Sequence, residues 1–331
     1  MSLLATLGFK PRAVVNESRG KQQAQRLLAK LEQGAWHEVE QALAKSSEEG
    51  RDLLVRAIAE EENAVPAASR WVQAQPRCAM AQLLLGASLV ADAWKIRGSA
   101  YAEDVDAASW EPFFRTLKEA EVPLQAAAAL DAKLADPFAW LVVAEVAGEG
   151  EDEKLKTLFR AAIARSSLHW GAHYSYFMAT AEKWCGSHKE MFGFVRAVSR
   201  RSPKGRVLHC LVAVAYCEYA LATGSKGRET IRTPQCAAEV RAALYAWLDA
   251  GPATLEEKLL DLGGGVAELA LNHFAVACHL CGAVREARLL MDALRGEIQV
   301  LPWAWIAEGP RERNEPGFVH DRVMRELARA G

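Results

Sequence analysis

Long uncharged apolar runs are missing from this sequence of 331 residues. Nowhere do about eighteen apolar residues follow one another without a charge, as a bilayer-crossing helix requires, so no membrane span is expected. An excess of one charge is missing too. The formal net charge is −2, and no global field draws the chain to nucleic acid or an anionic membrane. Runs of β-branched residues bounded by turn signals are scarce, which argues against a sheet protein. The cysteines number seven, an odd count scattered through apolar helical contexts. They read as reduced core thiols rather than a disulfide framework, and they suggest a cytoplasmic setting. Residues 1–18 read as an irregular lead-in, without the extended apolar core of a secretory leader. Catalytic signatures are also wanting. There is no Gly-x-Ser-x-Gly elbow, and Gly263-Gly264-Gly265 has neither the Gly-Lys-Ser/Thr nor the preceding strand of a phosphate loop. No cofactor is expected.

What is present is helix. Hydrophobic residues make up 51% of the chain, and many of them are Ala and Leu at helical spacing. Leu27, Leu28 and Leu31 form one face that ends at Gly34, and Val39, Ala42 and Leu43 open a second helix. Leu53, Leu54, Ala57 and Ile58 pair in the same way with Ala67, Ala68, Trp71 and Val72. The clearest hairpin runs Leu271, Phe274, Ala275, Cys278, Gly282, Ala287, Met291, Leu294. A stop followed by an apolar helix recurs at Pro76, Asp136-Pro137, Ser166-Ser167 and Ser202-Pro203. Such a hairpin cannot bury its apolar face alone, so neighbouring hairpins must stack. Two stretches break the rhythm. Residues 222–234 are polar, basic and Gly-bearing, and read as a mobile loop insertion. Residues 252–265 separate the helix around Leu244–Leu248 from the last hairpin.

These residues resemble tetratricopeptide (TPR) repeats. The pieces that carry the likeness are Leu85-Gly86 after Pro76, Ala139-Trp140 after Pro137, and Gly282 with Ala287 in the last hairpin. A narrower likeness joins Trp184-Cys185-Gly186-Ser187 … Met191 … Phe194, and the ending Asn272-His273-Phe274-Ala275 … Pro302-Trp303, to a bacterial TPR-like family of no assigned activity. The resemblance implies an all-α fold of stacked antiparallel helix hairpins, a right-handed TPR-like α-solenoid. It would occupy residues 19–295, with a C-terminal tail and capping helix over 296–331.

Several constellations are candidates for chemistry. Trp184, Gly186, Ser187 and His188 precede a helix, where Ser187 caps and Glu190 stands at the capping-box position. Free N–H groups at such a helix start can take a carboxylate or phosphate, with Trp184 as a wall. Capping alone also explains every residue of the turn. His169 and His173 have the four-residue spacing of a two-His metal half-site, but no catalytic Glu lies between them and no third ligand is evident. Interface packing is the plainer reading, and no metal is expected. Cys278 and Cys281 form a lone C-x-x-C inside a helix, which reads as core. Lys226, Arg228, Arg232 and Arg200-Arg201 read as solvated charge.

Of the ten Trp residues, some on the concave face of a helical array would anchor a bound peptide; Trp140, with His173 and Tyr176, is taken as a candidate for that face. The reading is therefore a non-catalytic scaffold that holds a protein or peptide segment in its concave groove. Two alternatives stand beside it. One is a small-molecule or metal-dependent enzyme with its site near His169, His173, Trp184 and Ser187. The other is a structural component that acts through oligomerisation.

Overall fold

Helices form wherever the apolar residues recur three and four apart, and the all-α expectation holds in the computed structural model. It describes residues 13–15, 21–98, 104–147, 152–184 and 186–330. Seventeen α-helices and two strands of two residues each occur among the described residues. By its contacts the chain divides into two units, residues 18–180 and residues 1–17 with 181–331. The sequence reading had placed residues 19–295 in one array.

The first unit holds α1 (Lys21–Glu32), α2 (Trp36–Lys45), α3 (Glu48–Ala59), α4 (Ala64–Ala74), α5 (Ala79–Arg97), α6 (Ala107–Leu130), α7 (Asp136–Ala147), α8 (Asp152–Arg165) and α9 (Trp170–Thr180). Ala24, Leu27, Leu28 and Leu31 are the buried face of α1. Ser47 caps α3 by accepting the Gly50 N–H at 3.1 Å. Trp71 of α4 is fully buried and stacks on Trp36 of α2 at 6.5 Å. The odd-numbered helices α1, α3, α5, α7 and α9 pack one upon the next. One contact departs from that plan: α3 also packs against α9. Ser166 and Glu48, 118 residues apart, are hydrogen-bonded at 2.7 Å.

The second unit includes residues 1–17 of the expected lead-in. Of residues 1–18 only 13–15 are described. There Val14–Val15 form β1, which pairs in parallel with β2 (Glu297–Ile298), Val14 opposite Glu297. The helices are α10 (His188–Arg201), α11 (Cys210–Ile231), α12 (Pro234–Leu248), α13 (Leu255–Leu260), α14 (Val266–Cys281), α15 (Val284–Leu294), α16 (Pro310–Asn314) and α17 (Gly317–Arg329). The hairpin that was clearest in the sequence is α14–α15. Gly282 closes α14 at φ +82°, a conformation glycine adopts without steric cost. Phe274, Ala275, Cys278, Ala287 and Met291 are all buried around it.

The loop expected over 222–234 is instead helical. It is kinked at Gly224 (φ 62°, ψ −150°), and α11 runs on to Ile231. Thr233 then caps α12 by accepting the Cys236 N–H. The polar residues of this segment lie on one wet face: Lys226 and Glu229 are exposed while Gly227 and Ile231 are buried. Within residues 296–331, α17 packs on α15 and on the turn Trp303–Ile306, and it buries Val319, Val323 and Leu327. Trp303, in the 3₁₀ turn Trp303–Ile306, is buried and donates its indole N–H to Asn272 Oδ1 at 2.7 Å. Two helices, α5 and the 3₁₀ turn Val207–His209 with α11, are long and apolar enough to cross a membrane by length and composition. Half and 67% of their apolar windows are buried inside the protein, as core helices are.

Candidate functional site

The sequence candidates fall into both units. In the second, Ser187 caps α10: its Oγ accepts the Glu190 N–H at 3.2 Å and donates to Glu190 Oε2 at 2.8 Å. His188 Nε2 lies 3.1 Å from Glu182 Oε2, and its ring packs 4.7 Å from Tyr219. The Gly186 N–H donates to the Ala181 carbonyl, and Trp184 is half-buried. Cys185 lies outside the described residues. The turn is thus a tied-down helix start in which Ser187 and Ala181 take backbone N–H groups an anion would need. Ser187→Ala is expected to cost about 1 kcal/mol of folding stability, as loss of an N-cap does. Urea unfolding measures it, and an unchanged midpoint would show the cap to be idle.

In the first unit, Trp140 is buried under the Arg56 guanidinium, 4.8 Å from its ring centroid. Tyr176 stacks on Phe159 at 4.3 Å, and His173 meets the same ring edge-on at 5.2 Å. His173 Nδ1 donates to the His169 carbonyl at 2.9 Å, and burial depresses its pKa. His169 itself caps α9, with Nδ1 accepting the Ala172 N–H at 3.0 Å. A ring that accepts at Nδ1 carries its proton on Nε2. Both histidines spend a ring nitrogen on the helix rather than on a shared ligand direction. Among the described residues, no three of His, Cys, Asp and Glu stand in metal-holding geometry.

The residues around His169 form a buried charged cluster that the sequence did not disclose. Asp136 is fully buried and takes a two-pronged ion pair from Arg51, Nε to Oδ1 at 3.0 Å and Nη2 to Oδ2 at 2.7 Å. His169 Nε2 stands 3.7 Å from Asp136 Oδ2, too far for a hydrogen bond but close enough for attraction. Burial would raise the Asp136 pKa, yet His169 and Arg51 together bring it below the usual carboxylate value. Asp52 is buried beside them, and its Oδ1 finds no hydrogen-bond partner. Burial pushes its pKa up, against the pull of Arg56 and His169.

That shift carries a sign. A carboxyl whose folded pKa lies above its unfolded value (about 3.9 for Asp) favours folding most below that value. The contribution disappears as the pH rises through the folded pKa. Asp52→Asn is therefore expected to raise stability at pH 7, with the advantage shrinking as the pH falls. Urea unfolding across that range tests it, and a less stable variant at pH 7 would overturn the assignment. Asp52, Asp136 and His169 are buried, and Arg51 keeps 15% of its side-chain exposure.

An open pocket with charged and apolar walls lies in the second unit, beside the segment expected as a loop. Its volume is about 160 Å³, and its walls include Arg228 and Arg232 of α11, His279 of α14, Glu308, and Arg322 and Glu326 of α17. Arg228 donates Nη1 to the Ile306 carbonyl and Nη2 to the Trp305 carbonyl, both at 3.1 Å. Its Nε is buried without a partner, and burial with Arg322 nearby lowers its pKa. Arg322 donates to Glu312 Oε1 at 2.9 Å, Glu326 Oε1 at 3.2 Å and the Ile306 carbonyl at 2.8 Å. His279 Nε2 lies 3.2 Å from Glu326 Oε2, and burial lowers its pKa to about 4, which leaves the ring neutral at pH 7. Arg232 is exposed, and its guanidinium holds no carboxylate among the described residues. Arg228 and Arg232 were visible in the sequence as charge. That one of them is anchored and the other free depends on the 3₁₀ turn and α17, more than seventy residues further on.

Comparison with family models, curated proteins and solved structures returns no match.

Proposed function

We propose that this chain is a non-catalytic binding module that holds a peptide segment of a protein partner, and that its hairpins belong to a TPR-like, right-handed helical array. The observation that carries the functional reading is the pocket of the second unit. A volume of about 160 Å³ suits one side chain, whereas sites for small molecules run to about 300–1,000 Å³. Its groups are guanidinium, carboxylate and a neutral imidazole, a set that orients a polar group by charge and hydrogen bonds. The sequential packing of α1, α3, α5, α7 and α9 supports the array. The cytoplasm suits the six described thiols, all of them free. The test is a displayed-peptide selection on the intact protein, counter-selected against Arg232→Ala. Arg232 is exposed, so its loss should leave the fold intact. Sequences that enrich on the wild type and not on the variant are expected. No enrichment, or equal enrichment on both, would contradict the reading.

A further inference from the structure

The pocket already contains a carboxylate supplied by the chain itself. Glu308 follows the 3₁₀ turn and is 59% exposed, yet its Oε1 reaches 3.3 Å from Arg322 Nη1 and 3.9 Å from Arg228 Nη1. Those two arginines keep side-chain exposures of only 15% and 19%. The other carboxylates on Arg322 are held more firmly. Glu312 accepts from two of its nitrogens and from the Glu308 N–H, and Glu326 also faces His279. Glu308 is therefore the pocket's exchangeable anion: exposed, at salt-bridge rather than hydrogen-bond distance from Arg228, and attached by a flexible side chain. The same pocket is lined by Arg232, whose planar fork holds no carboxylate among the described residues and is shaped to take one by two parallel hydrogen bonds. Glu229 is exposed on the same wall, and the lining balances three arginines (Arg228, Arg232, Arg322) with three glutamates (Glu229, Glu308, Glu326).

We infer that the pocket binds a carboxylate of the partner peptide, which pairs with Arg232 and displaces the Glu308 carboxylate from between Arg228 and Arg322. Glu308 then acts as a built-in competitor that sets the affinity threshold. The inference rests on the peptide-binding reading above and deepens it, naming the chemistry of the partner and a residue that opposes its entry.

The test is fluorescence anisotropy on the full chain with three labelled peptides. They are a C-terminally amidated Glu-Ala repeat, its Gln-Ala counterpart, and the Gln-Ala repeat with a free C-terminus. The Glu-Ala peptide is expected to bind and the amidated Gln-Ala peptide to fail. Binding of the third peptide would assign the pocket to a chain terminus and its failure to a side chain; either keeps the carboxylate. Arg232→Ala should weaken the Glu-Ala peptide by roughly tenfold or more, the worth of a charged hydrogen-bonded pair, with partial rescue by Arg232→Lys. Glu308→Gln should tighten it several-fold by removing the competitor. Equal binding of the Glu-Ala and amidated Gln-Ala peptides, indifferent to Arg232→Ala, would overturn the carboxylate inference and leave a binding module standing. Unchanged affinity in Glu308→Gln would overturn the displacement. Competition by inorganic phosphate at lower concentration than acetate would reassign the pocket to phosphate. Failure of all three peptides, together with an empty peptide selection, would remove both readings.

Discussion

Replacing Arg51 with alanine is expected to destabilise the protein by about 3–5 kcal/mol, the range for removing one partner of a buried ion pair. The reason is what remains behind. Asp136 is fully buried, both of its oxygens take hydrogen bonds from Arg51, and the nearest other polar partner is the His169 ring at 3.7 Å. Without the guanidinium its charge must either stay uncompensated in a low-dielectric interior or be quenched by a proton. A further variant separates this cost from the worth of the pair. Arg51→Met with Asp136→Leu removes both charges and is expected to recover most of the loss, because well-packed apolar replacements of a buried pair are commonly near neutral. Chemical unfolding of both variants measures the effect. A loss below about 1 kcal/mol for Arg51→Ala would mean that the pair behaves as a surface salt bridge does.

Gly171→Ala should destabilise although it improves the intrinsic helix preference. Alanine is better than glycine by about 1 kcal/mol inside a helix, so local propensity alone predicts a gain. Position 171 lies in the first turn of α9, where a Cβ would stand 2.8 Å from Cγ and 2.9 Å from Oδ2 of Asp52. Asp52 is short and buried, so α3 or α9 must shift, and overpacking of that kind costs about 1–3 kcal/mol. The steric term therefore outweighs the propensity. Its signature is a change of sign: in an Asp52→Ala background, Gly171→Ala should become neutral or stabilising. A Gly171→Ala variant as stable as the wild type would contradict the close approach of α3 to α9.

Those two substitutions mark what could be read in the sequence and what could not. Helix positions were legible because burial of an amphipathic face leaves a period: Leu27, Leu28 and Leu31 in α1, or Phe274 and Cys278 in α14. Stops at Pro76 and Pro203 were legible because local backbone chemistry dictates them, whereas Pro137 lies in the first turn of α7. The cap at Ser187 was legible for the same reason, since Ser187 and Glu190 are three residues apart. Contacts between distant segments leave no period. Arg51 looks like any surface charge in α3 until Asp136 meets it, 85 residues later. Residues 222–234 looked mobile because their exposed face is polar; their buried face is fixed by carbonyls of the turn Trp303–Ile306. The aromatic candidates Trp140 and Tyr176 were chosen as groove anchors, and they stand packed against Arg56 and Phe159.

The proposed peptide site is the pocket of the second unit rather than the Trp184–Ser187 turn. Amide hydrogen exchange with and without the amidated Glu-Ala peptide locates binding directly. Slower exchange is expected in segments 225–232, 279–282 and 306–312, with the α10 start at 184–190 unchanged. Protection centred on 184–190, or no protection in any segment, would contradict it.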